Sequence, residues 1–397
     1  MNILLLENIH STAKEKLEEQ GFKVDLLTYS PAPEELSSLL AKYQAVGIRS
    51  KTKLTKDILD KNKHLLAVGC FCIGTNQVDL EAAKVNGTAV FNAPHSNTRS
   101  VAELVIAEMV ALSRQLGDRN SMAHKGKWLK SAVGANEIRG KNLGIIGYGH
   151  IGSQVSVLAE SFGLNVLFYD VTKKLSLGNA KSVSTLKELL SISDFVTLHV
   201  PETPETKDMI TNKELKQMKK GSYLINASRG SVVVIADLVA ALKSEHIKGC
   251  AVDVFPKEPA SNEEMFTSPL QGLKNVILTP HIGGSTEEAQ VAIAEEVSDS
   301  LDKFLKVGSS AGAVNFPIVD IGKHGSAKRI VNVHENKPGV LGEINSIISA
   351  AGANIDAQFL ATDDKIGYLV IDVHADHVEG LSQSIVKLDS NIITRVV

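Results

Sequence analysis

The sequence predicts an α/β protein in three parts: two units built on doubly wound parallel sheets, then a small βαββαβ unit. Three observations support this. Short apolar runs alternate with amphipathic segments along most of the 397 residues, the rhythm of a parallel sheet covered on both faces. A glycine-rich turn at 147–152 links an apolar run to a helical one. In the last 70 or so residues the rhythm becomes strand, helix, two strands, helix, strand, the ferredoxin-like order with an antiparallel sheet.

Length and composition narrow the possibilities. A chain of 397 residues is long enough for two or three domains. Apolar residues make up 43% and charged residues 22%, the balance of a globular protein rather than a disordered one. Lys and Arg number 42 against 45 Asp and Glu, a net charge of −3, which lacks the basic excess of a nucleic-acid binder. No stretch approaches the roughly 18 apolar residues of a membrane span. Residues 1–6 have no basic flank and run straight into Glu7, so no secretory signal is expected there. The three cysteines, Cys70, Cys72 and Cys250, cannot build a disulfide framework. Cys70 and Cys72, two apart on a strand, face opposite sides and cannot grip one metal. Buried free thiols in a reducing cytoplasm are expected, with no metal site.

The elements follow in order. Strands are predicted at 2–6, 22–27, 45–48 and 65–70, with helices at 11–20 and 34–42 between them. Ser100 and Glu103 have capping-box spacing and open a long helix striped by Val101, Leu104, Val105 and Leu112. From Lys141 a second series places strands at 143–146, 165–169, 195–200, 222–226, 249–254 and 276–278. Thr211 and Glu214 form another capping box. Ser285 and Glu288 open a last long helix towards Val307, which should pack back on an earlier layer. The predicted domains are 1–97 with 285–315, then 98–284, then 326–397. Gly308-Ser309-Ser310-Ala311-Gly312 has linker composition, and 322–326 is a second Gly/Ser-containing join. The last part reads as strands 329–334, 354–362, 366–374 and 392–397, with helices 339–350 and 378–388.

The turn at 147–152 is a candidate phosphate cradle. Gly147 permits a tight turn, Gly149 lets a pyrophosphate approach the backbone, and Gly152 lets strand and helix pack closely. The helix N-terminus adds free N–H groups and a positive dipole end. Asp170 ends the next strand, 18 residues after Gly152, where a carboxylate accepts from ribose hydroxyls and repels a 2′-phosphate. That pattern predicts NAD rather than NADP.

Three polar turns lie just beyond C-terminal strand ends of the second series: Ala227-Ser228-Arg229-Gly230, Phe255-Pro256-Lys257-Glu258-Pro259 and Thr279-Pro280-His281. Ligands of open parallel sheets bind at those ends. Together these turns supply the parts of a hydride-transfer site. An imidazole can take a hydroxyl proton near neutral pH. A carboxylate can orient it and raise its pKa. A guanidinium can bind a substrate carboxylate bidentately and stabilise charge on the reacting oxygen. Each residue alone has an ordinary structural reading; their joint placement makes the set functional. Arg49, Lys51, Lys53 and Lys130 lie in loops that could supply cations to a phosphorylated substrate.

Four stretches carry a family resemblance: Gly-Lys-Asn-Leu-Gly-Ile-Ile-Gly-Tyr-Gly-His-Ile-Gly, Ile-Asn-Ala-Ser-Arg-Gly, Ala-Val-Asp-Val-Phe-Pro-Lys-Glu-Pro and Leu-Thr-Pro-His-Ile-Gly-Gly-Ser-Thr. The chain resembles D-2-hydroxyacid dehydrogenases along essentially its whole length, and its end resembles the ACT regulatory module. The resemblance implies a flavodoxin-like substrate domain, a Rossmann NAD domain and an ACT domain. It makes His281 the general acid/base, Glu258 its partner and Arg229 the carboxylate anchor. Asp253 would hold the nicotinamide carboxamide; His150, Ile151, Asp170, Ala227, Ser228, Gly283 and Gly284 would line the cofactor site. Arg49, Ser50 and Asn97 match substrate-contacting positions, and Trp128 and Lys130 match a segment that reaches across a dimer interface.

Within the family the sequence is similar to the branch that acts on 3-phospho-D-glycerate. That likeness implies 3-phosphoglycerate and 3-phosphohydroxypyruvate as substrate and product. It also implies L-serine as an effector held by His334, Asn336 and Asn354 between subunits, a homotetramer, and a cytoplasmic enzyme. The sequence departs from the branch in two places. Leu27-Thr28-Tyr29-Ser30 carries no basic residue, which weakens the phosphate assignment. Ser326 stands at the second join where relatives often have a glycine, which would stiffen a hinge. Three other readings stay open: a reductase of another keto acid such as 2-oxoglutarate, a non-catalytic NAD sensor, and a terminal domain that only holds the oligomer together.

Overall fold

A computed structural model describes residues 1–259, 261, 263–323, 325, 328–374 and 378–397. The chain separates into two compact units, Met1–Ser96 with Gln290–Val397, and Asn97–Ala289.

The first unit opens with a parallel sheet of β1 (Asn2–Leu5), β2 (Lys23–Leu26), β3 (Ala45–Ile48), β4 (Ala67–Cys70) and β5 (Ala89–Asn92), in the order β2-β1-β3-β4-β5. That is the flavodoxin-like order. Every residue of β3 and β4 is buried, as strands covered on both faces require. The sequence reading places four strands here. The fifth, β5, is a four-residue run without alternation, too short to separate from its surroundings by period.

The helix Glu287–Asp302 closes with a π turn at Lys303–Val307. The stretch 308–312 is a packed turn rather than the linker its composition predicts. Ser310 donates its N–H to Val319 O at 2.9 Å and its hydroxyl to Pro317 O at 2.7 Å, and its Oγ accepts the Val319 N–H at 2.8 Å. Asn315 ties the same stretch to the sheet, accepting the Val90 N–H and donating to Thr88 O. The small polar residues here pair the backbone internally instead of solvating a tether. Of the second join, Ser326 lies outside the described residues.

The terminal module is β13 (Lys328–Glu335), β14 (Asn354–Thr362), β15 (Ile366–His374) and β16 (Asn391–Val396), antiparallel in the order β14-β15-β13-β16. Its helices, Val340–Ala350 and Val378–Val386, cover one face through Ile344, Ile348, Leu381 and Ile385 against Ile330, Leu369 and Ile371. The other face sends Val331, Val333, Tyr368 and Val370 into the core that holds Phe91, Phe304 and Phe316. Three polar side chains fasten this face to the end of the long helix. Tyr368 donates to Gly308 O at 2.8 Å, and Arg395 donates to Leu305 O at 2.6 Å. Buried Arg329 grips Asp372 bidentately at 2.6 and 2.7 Å and donates to Val307 O.

The second unit is a seven-stranded parallel sheet. Its strands are β6 (Asn142–Ile146), β7 (Asn165–Tyr169), β8 (Lys181–Ser182), β9 (Phe195–Leu198), β10 (Ser222–Asn226), β11 (Ile247–Val252) and β12 (Val276–Leu278). The order is β12-β11-β10-β9-β6-β7-β8. Strand order reverses at β6, and the crevice beyond the C-terminal end of such a switch point is where open parallel sheets take their ligands. β11 begins and ends two residues before the predicted strand, because Asp253 leaves the ladder to organise a loop.

Two of the predicted caps move. The helix Thr98–Arg114 begins after Asn97, so Ser100 lies inside its first turn. There Ser100 Oγ meets Thr286 Oγ1 at 2.8 Å, and Thr286, rather than Ser285, accepts the Ala289 N–H of the next helix. The capping box of Thr211 and Glu214 forms as read. Among the described residues no helix is long and apolar enough to cross a membrane.

Candidate active site

The glycine turn has the geometry its spacing predicts. Gly147 has φ +90°, and a Cβ there would overlap the His199 carbonyl. A Cβ on Gly152 would overlap Gly147 O. Nothing lies within 4 Å of a Cβ built on Gly149, the N-cap of the helix His150–Ser161, so the approach to the helix N-terminus is open. His150 is exposed and Ile151 half-buried in the first turn. This cradle fits a pyrophosphate, which the helix dipole and free N–H groups favour.

Asp170 stands beside it. Its Oδ2 accepts the Tyr148 N–H at 2.8 Å, and its Oδ1 accepts the Thr172 N–H at 2.8 Å and hydroxyl at 2.9 Å. Burial opposes its charge, but those bonds and nearby Lys174 outweigh it and hold the carboxyl below the usual range. Tyr148 is itself anchored, stacked on Phe168 at 3.8 Å between ring centroids and bonded to Ser156 at 2.8 Å.

The turn after β10 is shaped by Asn226, which the sequence reading did not single out. Its Oδ1 accepts the Ser228 N–H and hydroxyl at 3.1 and 2.8 Å, and its Nδ2 donates to Arg229 O at 3.1 Å. Ala227 and Arg229 are half-buried and Ser228 is buried. Gly230 lies so close to the next turn that a Cβ would overlap the Phe255 carbonyl. The Arg229 and Glu258 turns are therefore packed backbone to backbone.

Glu258 and His281 meet at 2.9 Å, Oε2 to Nδ1. The other carboxylate oxygen of Glu258 accepts the Phe255 N–H at 3.0 Å. Burial resists its charge, yet His281, the Phe255 amide and Arg229 prevail and keep it below the ordinary carboxyl value. An ionised carboxylate only accepts, so Nδ1 carries the proton and Nε2 is presented for chemistry. The bond to Glu258 raises the His281 pKa above its ordinary 6.5, against the opposing effect of burial. Half of the His281 side chain remains accessible.

His281 adopts φ +54°, the left-handed region a non-glycine residue seldom enters. Asp253 holds it there. The Asp253 carbonyl accepts the His281 N–H at 2.8 Å, while its carboxylate accepts the Thr279 hydroxyl at 2.6 Å and the Ile282 and Gly283 N–H groups at 2.8 Å each. Asp253, expected to hold a carboxamide, is buried and spends most of its accepting capacity on this loop. Gly283 and Gly284 are small for a reason: a Cβ on Gly284 would overlap the amide of Asn97, and one on Gly283 would press on Asp253. Asn97 is nearly buried, with its Oδ1 lacking a partner among the described residues.

The sequence reading also passed over His199. It is half-buried below the glycine turn, bonded to Thr197 Oγ1 at 3.0 Å, and desolvation of its ring pushes its pKa down to about 3, so it stays neutral. Lys130 is exposed in irregular chain beside Trp128, which is 86% exposed.

In the first unit, Arg49 and Ser50 follow β3 in a loop set by Glu7, whose carboxylate accepts the N–H groups of Arg49, Lys51 and Thr52 at 2.8–3.0 Å. Arg49 is half-buried and Ser50 exposed. In the terminal module Asn336 and Asn354 are exposed, Asn336 donating to Asp363 O at 2.6 Å. His334 is buried, pairs through Nδ1 with Asn332 Oδ1 at 2.8 Å, and lies tight over Gly367. Its ring is a core group of the single chain.

Comparison with known proteins now decides the family. The model for "D-isomer specific 2-hydroxyacid dehydrogenase, NAD binding domain" matches residues 106–283, and one for "AHAS small subunit-like ACT domain" matches 330–392. A D-3-phosphoglycerate dehydrogenase of Dictyostelium discoideum is 52% identical over 396 residues, covering 100% of this chain and 97% of the relative. That of Escherichia coli K12 is 52% identical over 377 residues, covering 95% and 92%. The chain belongs to the D-3-phosphoglycerate dehydrogenase branch of the D-2-hydroxyacid dehydrogenases. Among solved structures, a D-lactate dehydrogenase of Aquifex aeolicus complexed with NAD and lactic acid aligns with TM-score 0.69 at 30% identity, over 80% of this chain and 100% of that one. As a member of this family the chain is an oxidoreductase with a nicotinamide cofactor, and the glycine cradle and Asp170 are the residues that fit it.

Proposed function

We propose that this 2-hydroxyacid dehydrogenase oxidises 3-phospho-D-glycerate to 3-phosphohydroxypyruvate with NAD, the entry step to L-serine. The observation that carries the reading is the 2.9 Å pair of His281 Nδ1 and Glu258 Oε2, which leaves Nε2 as the proton acceptor. Bound nicotinamide supplies the hydride acceptor. Arg229 holds the substrate carboxylate, and the cations Arg49, Lys51, Lys53 and Lys130 serve the phosphate. Nε2 of His281 takes the C2 hydroxyl proton as the carbonyl forms; Glu258 stabilises the resulting imidazolium. In reverse the same imidazolium returns the proton to the ketone oxygen. Asp170 favours NAD because its charge opposes a 2′-phosphate. The names of the relatives at about half identity along the full chain support the substrate.

The terminal module is proposed to bind L-serine. Exposed Asn336 and Asn354 present amides suited to an amino acid's charged ends and hydroxyl, and His334 anchors the end of β13, which Asn336 follows. A cytoplasmic homotetramer, with serine between terminal modules, completes the proposal.

The test is NADH oxidation with 3-phosphohydroxypyruvate and with 2-oxoglutarate, each with and without millimolar serine. Faster turnover of the phosphorylated substrate, slowed by serine, is expected. Preference for 2-oxoglutarate would move the assignment to another reductase. Unchanged rates with serine would leave the module a purely structural part.

A further inference from the structure

We propose that Glu7 and Gln77 are positioning residues: from opposite sides they pin the main chain of Arg49, and so aim its guanidinium at the substrate. The inference rests on the reading of Arg49 as a substrate cation and deepens it.

The end of β3 needs such a clamp. β3 lies between β1 and β4, and its last rungs pair Gly47 with Leu5 and Ile48 with Cys70. Arg49 comes next, beyond the ladder, where a backbone is ordinarily free to choose its conformation. Instead both of its peptide groups are paired, and by side chains. The Arg49 N–H donates to Glu7 Oε1 at 3.0 Å, and the Arg49 carbonyl accepts from Gln77 Nε2 at 2.9 Å. Glu7 follows β1 and Gln77 lies in the loop after β4, so each neighbour of β3 supplies one bond.

The two clamping side chains are themselves held. Glu7 is buried at 8% exposure and Gln77 at 6%. The Glu7 carboxylate also accepts the Lys51 and Thr52 N–H groups at 2.9 and 2.8 Å, which offsets the cost of burying its charge. Glu7 takes up this position in the left-handed region, at φ +60°. Gln77 donates further to Gly74 O at 3.1 Å, and its own carbonyl accepts the Leu54 N–H at 2.9 Å. The loops after β3 and β4 are thereby joined on both sides of Arg49.

The residue they hold is a cation with its charge to spare. Arg49 is half-buried and forms no ion pair among the described residues. With its peptide groups fixed fore and aft, the direction of its Cα–Cβ bond is set, and only side-chain torsions remain to be ordered when substrate binds. Lys51 is held through its N–H alone and is exposed, so Arg49 is the residue the clamp serves.

The experiment is steady-state reduction of 3-phosphohydroxypyruvate by the full chain, with NADH affinity titrated by fluorescence on the same samples. R49A is expected to raise KM about tenfold or more, the loss of a charge-assisted contact. E7Q turns one accepting oxygen into a donor, and Q77L removes the donor on the other side. Each is expected to raise KM by about three- to tenfold with kcat and NADH affinity within about twofold, the pattern of lost substrate binding. In the R49A background the same substitutions are expected to change KM by less than about twofold, because residues acting through one group are not additive. A merely structural role would lower kcat and NADH affinity as well, and would add to R49A. Either of those results, or an unchanged KM in both E7Q and Q77L, overturns the inference. If E7Q does not fold, Q77L and its double variant with R49A decide by the same criteria. An unchanged KM in R49A would instead overturn the reading of Arg49 itself.

Discussion

Asp253 carries His281: its carbonyl accepts the His281 N–H at 2.8 Å, and its carboxylate gathers Thr279, Ile282 and Gly283 from the chain on either side. One buried residue at the end of β11 thereby holds His281, the proposed acid/base group, in a left-handed conformation it would not choose alone. Replacing Asp253 with Asn turns one accepting oxygen into a donor facing N–H or O–H groups. Stability is expected to fall by about 1–3 kcal/mol, the cost of unpaired buried donors. Turnover is expected to fall about a hundredfold as the imidazole shifts. Urea melts and steady-state rates on the same preparation check both, and wild-type values for D253N would remove Asp253 from this role.

The pH profile depends on Glu258. Its bond to His281 is the first cause raising the imidazole pKa above 6.5. Oxidation needs the neutral ring, so its rate falls as pH drops through that raised value. Reduction needs the protonated ring, so its rate falls as pH rises through the same value. E258Q removes the carboxylate charge, and both limbs are expected to move to lower pH. The measurement is kcat/KM against pH in each direction; limbs that stay in place would deny Glu258 its electrostatic part.

Gly230 keeps the Arg229 and Glu258 turns in contact. A Cβ there overlaps the Phe255 carbonyl and lies 2.5 Å from Pro256 N. G230A is expected to separate the Arg229 turn from the Glu258 turn and to cost about 1–3 kcal/mol, as overpacking does. KM for the hydroxy acid should rise with the loss of alignment. Thermal melting and substrate saturation curves check this, and unchanged values would mean the turns can part freely.

The terminal module offers a stability test. Arg329 and Asp372 are both nearly buried and share two short hydrogen bonds. R329A leaves Asp372 uncompensated and also removes the donors that satisfy Val307 O and Gly322 O. A loss of about 3–5 kcal/mol is expected in chemical denaturation. A loss below about 1 kcal/mol would show the pair to be replaceable by water.

Much of this site was legible because its chemistry lies where periodicity breaks. The glycines at 147–152, the turn ending in Arg229, and Thr279-Pro280-His281 all follow clean apolar strands, and strand ends are readable. The supporting residues were not. Asn226 and Glu7, and Asp253 beyond the carboxamide role expected of it, act by collecting backbone N–H groups from loops whose path only the folded chain reveals. His199 looks like part of a strand end until its packing against Gly147 is seen. Small-residue composition misled at 308–312, where Ser310 pairs with 317–319 instead of forming a tether. The caps at Ser100 and Ser285 failed for a similar reason, since Ser100 found a partner in Thr286.

The most direct test of the assigned chemistry is the H281A variant, measured for 3-phosphohydroxypyruvate reduction and for NADH binding on the same sample. Turnover should fall by at least about a thousandfold, within the 10²–10⁴ range of acid/base catalysis, while NADH affinity stays within about threefold. Retained turnover, or turnover and NADH affinity lost together, would contradict His281 as the proton-transferring group.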